Sequence, residues 1–497
     1  MSRICIVTQS AAFASSAGMR VRYDRFIAGA NRPGVEIVVE PIADILERRE
    51  LEADAYIFCK TFTPEAVVLA HAARRAGRAV GHDLFDDYFS QREDQRLFVY
   101  RDWMRQMAPA TDFAICGTER MKAVVQPLLP NCPIHLVEDP VIGHDPFRIA
   151  AMVSAKAERA RASGRLRLAW FGIGDNPFFP VGLQDLTSPQ VAGEIDRLKA
   201  LGWDLSLTIA TNTRALDADG LAGLRRLPIQ PEVVEWTEEV ETEVLAAADV
   251  AIIPVNSQAF SRAKSLNRAL TALEQGCQVL SLGEPLYARL SEVIYDDVDR
   301  LSADLRAGTP RLNADSTLVL TGLLRRIGNA FEAGNRFVDA TLNARRAEPG
   351  SHAPLLMIHG RDSSAPLHKL VNRFGGLSVR SPYSSAKWAG DIRFDLVDWR
   401  MVMRVSEAVQ GKHGLPLAPT PPVPIGDRRF VEVDAAGLGL ALGVLAAPVA
   451  DPMLMSVGSY RRVMETIAGA CRRIFPGHHL ALSEKSGLRG ASPEFVQ

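Results

Sequence analysis

The sequence predicts an α/β protein of two doubly wound lobes followed by a smaller α/β unit. Three observations predict it. Apolar, β-branched runs of strand length alternate with amphipathic runs of helix length. That alternation restarts twice, after a charged Ala-rich segment near 151–163 and after a Pro/Gly-containing stretch near 348–354. The 497 residues exceed what one ordinary core organises.

The first lobe, assigned to 1–150, opens with a strand over Arg3–Thr8. The small-residue loop Gln9–Gly18 follows, then a helix from about Met19. Further strands are expected at Val35–Val39, Ala55–Cys59, Ala79–Asp83, Phe113–Cys116 and Ile134–Val137, with a helix over Pro64–Ala76. Ala151–Ser163 reads as a helical connector. The second lobe, 164–313, has strands at Leu166–Phe171, Leu205–Ala210, Val233–Trp236, Val250–Pro254 and Gln278–Leu282. Its helices are expected over Ser188–Leu201, Val240–Ala247 and Ser265–Gln275. Residues 314–348 read as helices packing back on the lobes. The third unit, 354–487, has strands at Leu355–His359, Leu377–Val379, Phe394–Val397 and Phe430–Val433, a helix over Pro366–Phe374 and a Pro-rich loop over Pro416–Pro424. Residues 488–497 read as a flexible tail. Strands alternating with helices mean parallel sheets, whose ligands collect at the strands' carboxyl ends.

Composition excludes several classes. Apolar content of 47% and charged content of 23% are those of a globular chain. The formal net charge of −1 supplies no general field for nucleic acid. No apolar run reaches membrane-span length, and the opening apolar stretch is too short for a signal peptide. A cytoplasmic protein is expected, with peripheral contact the route to any membrane-bound acceptor. The six cysteines have no CxxC spacing and read as buried hydrophobes in a reducing compartment.

The segment Asp249–Leu282 carries the strongest chemical signal. A buried strand ends at Pro254, a polar loop follows, and a helix begins beside Lys264, with Ser265 as the expected N-cap. A helix N-terminus flanked by a cation suits a phosphate. A capped helix with an exposed lysine fits the same residues. The second signal is the Gly172-Ile-Gly174 turn after a strand, where glycines admit close approach of backbone N–H groups to a pyrophosphate; a ligand-free βα turn is the competing reading. Asn212 follows another strand, and Trp236 can stack a base or simply pack. In the first lobe, His82, Asp83, Asp86 and Asp87 gather at a strand's carboxyl end. They admit general-base work, cation binding or helix capping. Gly18, Arg20 and Arg22 belong to the loop and helix after the first strand, where the arginines can meet a phosphate or solvent.

The run Lys264-Ser-Leu-Asn267-Arg, with the strand Asp249–Pro254 before it, resembles the donor-binding segment of GT-B glycosyltransferases, and the likeness spans roughly residues 1–345. The positions of that family's Glu-x7-Glu pair are Ala263 and Thr271 here. The resemblance implies transfer of a sugar from a UDP- or GDP-linked donor to a hydroxyl on a glycan, lipid-linked or protein acceptor, with no resident metal or cofactor. It implies a donor site of Gly172, Gly174, Asn212, Trp236, Arg262, Lys264, Ser265 and Asn267. His82 and Asp83 become the catalytic candidates. Gly18, Arg20, Arg22, Asp86 and Asp87 become the acceptor face. A sugar-nucleotide epimerase-like enzyme and a degenerate binding or scaffold module are the alternatives. The third unit carries no motif that identifies a family. It has a His-Gly turn at His359–Gly360 followed by Arg361–Ser364 and His368, but no Gly-x-Ser-x-Gly elbow; acceptor recognition and homo-oligomer contact are the roles open to it.

Overall fold

A computed structural model of the chain describes residues 1–48, 50–141, 145–327, 329–360, 365–384, 390–397, 400–442 and 457–483. The expected tail at 488–497 and the polar residues 361–364 lie outside the described residues.

The first sheet consists of β1 (Ser2–Thr8), β2 (Val35–Pro41), β3 (Ala55–Cys59), β4 (Ala79–Leu84), β5 (Phe113–Cys116) and β6 (Ile134–Leu136). All pairings are parallel, in the order β2-β1-β3-β4-β5-β6. The second sheet consists of β7 (Arg165–Phe171), β8 (Asp204–Thr211), β9 (Glu232–Glu235), β10 (Val250–Ile252) and β11 (Gln278–Leu280), also all parallel, in the order β11-β10-β7-β8-β9. Their central strands are near-continuous apolar runs because helices cover both faces. The two parallel lobes expected from the sequence are therefore present.

The connector helix begins at Pro146 rather than 151, because Asp145 caps its first amides (2.9 Å to Phe147 N) and proline suits the first helical position. The stretch expected to pack back on the lobes carries two helices. Ser316–Ile327 buries Leu320, Leu324 and Ile327 in the second lobe. Ala330–Leu342 returns to the first lobe, where Phe337 stacks on Phe26 at 4.9 Å. That crossing depends on two glycines. A Cβ on Gly29 would sit 1.8 Å from the Ala330 carbonyl oxygen, and one on Gly334 would sit 2.6 Å from that of Phe26.

The third sheet is mixed and larger than expected. It consists of β12 (Leu355–His359), β13 (Leu377–Arg380), β14 (Ile392–Val397), β15 (Arg400–Ser406), β16 (Val423–Ile425), β17 (Arg428–Glu432) and β18 (His479–Ser483). The order is β16-β17-β15-β14-β13-β12-β18, with β15 and β17 antiparallel to their neighbours. β16 lies partly inside the stretch expected as a Pro-rich loop. Pro424 sits on this short edge strand, where a missing N–H is tolerated.

The helix Pro64–Arg75 is sandwiched between the first and third sheets. Its residues 66 to 73 are all buried, and Val67, Val68 and Ala70 share a core with Leu355, Met357, Val371 and Ala481. Its N-cap is Thr63, and it carries proline in the first turn. Five of the six cysteines are buried. Among the described residues no helix is long and apolar enough to cross a membrane.

Candidate functional site

In each parallel sheet the strand order reverses at one place, between β1 and β3 in the first and between β7 and β10 in the second. Loops leaving the two strands at such a point diverge and open a crevice at the carboxyl ends. Residues from the carboxyl ends of both sheets meet in this structure.

On the first-lobe side, Lys60 directly follows β3. It is the only non-glycine residue with positive φ among the described residues (φ 49). Its ammonium lies 2.7 Å from Asp86 and over the Phe85 ring at 4.6 Å. On the second-lobe side, Lys264 reaches the other oxygen of the same carboxylate in a short ion pair, with its ammonium 4.0 Å from the Phe260 ring centroid. Asp86 is thus a buried anion between two cations from opposite lobes. Burial alone would raise its pKa. Lys264 and Lys60 outweigh burial and hold the carboxyl well below the usual range. A carboxylate so stabilised is a poor proton acceptor, so Asp86 organises the lysines rather than acting as a base.

Arg268 stands beside the Gly172 turn. The guanidinium carbon would be 3.5 Å from a Cβ at Gly172, whose φ of 129 demands glycine. The same guanidinium lies over the rings of Trp170 and Phe171 at 5.0 and 5.4 Å and donates to the Phe171 carbonyl, while its buried Nε has no partner.

Several site residues expected from the sequence have other work. Gly172 N donates to the Ala210 carbonyl (3.1 Å) and Gly174 N to Asn212 Oδ1 (2.8 Å), so these two amides hold the turn together and do not point at a ligand. Asn212 braces that turn and also donates to Asp175 (2.6 Å). A Cβ at Gly174 would meet Thr211 Oγ1 at 2.4 Å, so this glycine serves packing.

Ser265 is not the N-cap. The helix runs Asn267–Glu274, and the Ser265 hydroxyl accepts from Asn267 Nδ2 at 2.9 Å. Asn267 also donates to Asp139 (2.6 Å), a tie between the lobes. Arg262 is exposed and faces Glu284 at 3.5 Å. Trp236 is covered by Arg20, 5.4 Å from its ring, and donates from Nε1 to Glu241 (2.7 Å). Arg20 in turn lies 3.7 Å from both Glu238 and Glu241. Gly18 packs close to Phe13 and Phe85.

His82 and Asp83, the catalytic candidates, are both buried and held by internal partners. His82 is fully buried, packed against Phe58 and Trp103, with Nε2 2.8 Å from the Thr111 hydroxyl. Burial pushes its pKa down to about 3. Strand alternation puts His82 and Asp83 on opposite faces of β4, and both faces are covered. Asp83 accepts two bonds from Arg22 (2.7 and 2.8 Å) and one from the Tyr23 hydroxyl (2.7 Å). Arg22, 1% exposed, also donates to Asp139 (2.7 Å) and to the Val137 carbonyl (3.0 Å). These side chains form a saturated buried network beneath the site, so Arg22 offers no free guanidinium to a phosphate. Asp87 accepts from the amides of Phe89 (3.1 Å) and Ser90 (2.9 Å) and acts as a turn cap.

Sequence reasoning missed Lys60, Arg268 and Asp139. Lys60 directly follows β3, Asp139 stands three residues beyond β6 and Arg268 four beyond Lys264, which is the signal that could have found them. Aromatic rings of both lobes also interlock: Tyr88 stacks on Phe179 at 6.2 Å, and Tyr100 meets Phe178 edge-on at 5.7 Å.

No known protein family and no curated protein matches the chain. Among solved structures, an α,α-trehalose-phosphate synthase (UDP-forming) from Burkholderia vietnamiensis is similar at 12% identity and a TM-score of 0.46, over 71% of this chain and 99% of that one. An α,α-trehalose 6-phosphate synthase from Burkholderia multivorans is similar at 13% identity and a TM-score of 0.45, over 69% and 99%. A trehalose-6-phosphate structure from E. coli bound with UDP-2-fluoro glucose has 10% identity and a TM-score of 0.45, over 68% and 99%.

Proposed function

We propose that the chain is a glycosyltransferase that moves a sugar from a nucleotide-diphosphate donor to a hydroxyl acceptor. The observation that carries this reading is the meeting of Lys60 and Lys264 on Asp86 at the carboxyl ends of two parallel sheets, with Arg268 beside a glycine turn of the second. Fixed cations at such a place neutralise the charge that develops on a departing nucleotide diphosphate. Asp86 keeps the two ammonium groups oriented before the donor arrives, so little reorganisation is needed when it binds. Arg268 brings a planar guanidinium with an unpartnered N–H, a geometry suited to phosphate oxygens. The donor sugar then points toward the first lobe, where the Gly18 loop and Arg20 border the acceptor's approach.

The test is a thermal-shift and calorimetric panel of UDP- and GDP-linked sugars on the full chain. A ligand at 100 times its Kd stabilises the folded state by about 2.7 kcal/mol. One or two donors should raise Tm, and Lys264→Gln and Arg268→Gln should each abolish the response while both variants keep the wild-type circular dichroism. Wild-type protein that binds none of the donors, or variants that respond like wild type, would overturn the reading.

A further inference from the structure

Three imidazoles far apart in sequence converge away from these cations. His71 lies on the helix Pro64–Arg75, His352 on the segment leading into β12, and His479 at the start of β18. His71 and His352 are buried, and His479 is half-buried. One ring nitrogen of each lies within 4.8 Å of the other two. His352 Nε2 is 3.0 Å from His71 Nδ1. Ring centroids are 5.1, 5.2 and 4.4 Å apart around the triangle.

A metal takes the neutral imidazole, whose ring-nitrogen lone pair it binds. His71 Nε2 is 3.1 Å from the Gln106 carbonyl, an acceptor only. That contact makes Nε2 the protonated nitrogen and turns the Nδ1 lone pair toward the other two rings, as an outer-shell partner does at metal centres. Gln106 reaches the third sheet as well, since its side-chain oxygen accepts from Leu482 N at 3.0 Å. The nearby Arg74 cation is compensated by Asp112 at 2.5 Å.

We propose that His71, His352 and His479 bind one Zn²⁺ that clips the third sheet to the first lobe. Tetrahedral zinc with Zn–N bonds of about 2.0–2.1 Å sets its nitrogens about 3.4 Å apart. The His71–His352 pair already approaches that separation, and the His479 nitrogen lies within 4.8 Å of both. Three neutral imidazoles without a carboxylate suit zinc rather than magnesium or calcium. The fourth position is left to water. This role is structural and separate from sugar transfer, and it adds a metal where none was expected from the sequence.

The chain, stripped with a chelator and then equilibrated with ZnCl₂ and desalted, should retain one zinc and unfold at a higher temperature than the stripped form. Co²⁺ in its place should give the intense visible bands of a tetrahedral site. His352→Gln and His479→Gln should each weaken zinc binding by more than the roughly 100-fold that loss of an outer-shell partner can cost. The inference is overturned if the wild-type chain retains no stoichiometric zinc and shows no tetrahedral Co²⁺ spectrum. It is also overturned if both variants bind zinc like wild type, which would place the metal elsewhere and leave the three rings joined only by a hydrogen bond.

Discussion

Glu274 ends the helix whose first turn presents Asn267 and Arg268, and it offers a test of how strongly the lobe junction is desolvated. Burial raises its pKa from the ordinary 4.5 to about 7, against the opposing pull of the Arg25 cation. A raised carboxyl pKa means that the folded state favours the neutral acid. The stabilisation from that preference is fully present below pH 4.5. It is lost as pH rises from there through 7, because the unfolded chain ionises freely while the folded chain does so at a cost. Each tenfold change in proton affinity is about 1.36 kcal/mol, so a rise from 4.5 to about 7 corresponds to about 3 kcal/mol. Glu274 keeps partial solvent contact, which reduces the expected effect to about 2 kcal/mol. Glu274→Gln removes the titration and keeps the shape. Urea unfolding of both proteins between pH 5 and 8 should therefore show the variant gaining about 2 kcal/mol on wild type across that window. Parallel stability curves would refute the reasoning, whatever constant offset separates them.

Two further outcomes follow from the buried charges. Arg22→Met strands Asp83 and Asp139 without their shared cation, and the loss should be about 3–5 kcal/mol in denaturant unfolding; a loss under about 1 kcal/mol would mean the network is solvated. Lys60→Gly and Lys60→Ala both remove the ammonium that faces Asp86, but only glycine is at ease at φ 49. The glycine variant should be the more stable of the two by about 1 kcal/mol, as read from thermal unfolding; equal stabilities would show that the backbone there is unstrained.

The central strands of the parallel lobes, such as β3 and β10, were legible because they are buried on two faces and read as unbroken apolar runs. β5 and β12 match their expected bounds at both ends. β15 was missed because only one of its faces is buried. Its Met401, Met403 and Val405 alternate with residues that face outward, so no continuous run marks it. β18 follows the helix Val457–Ile474 and was not distinguished from its polar surroundings. At the site, the strand-loop-helix grammar around Lys264 fitted a phosphate-facing cation and an exposed lysine alike, and its ion pair with Asp86 was not legible. The role of each neighbour was not. Nothing local tells that His82 turns into the core while Lys60 turns out.

By itself the sequence determined the α/β class, the two parallel lobes and the cation beside the second lobe's helix. Those follow from patterns a few residues long, which local sterics and burial set. Tertiary structure alone decided which polar groups were already spent. Asp86 joins lysines from two lobes across 178 positions, and His71 meets His352 across 281. Whether a carboxylate or imidazole is free for chemistry depends on partners that only folding brings within hydrogen-bond reach.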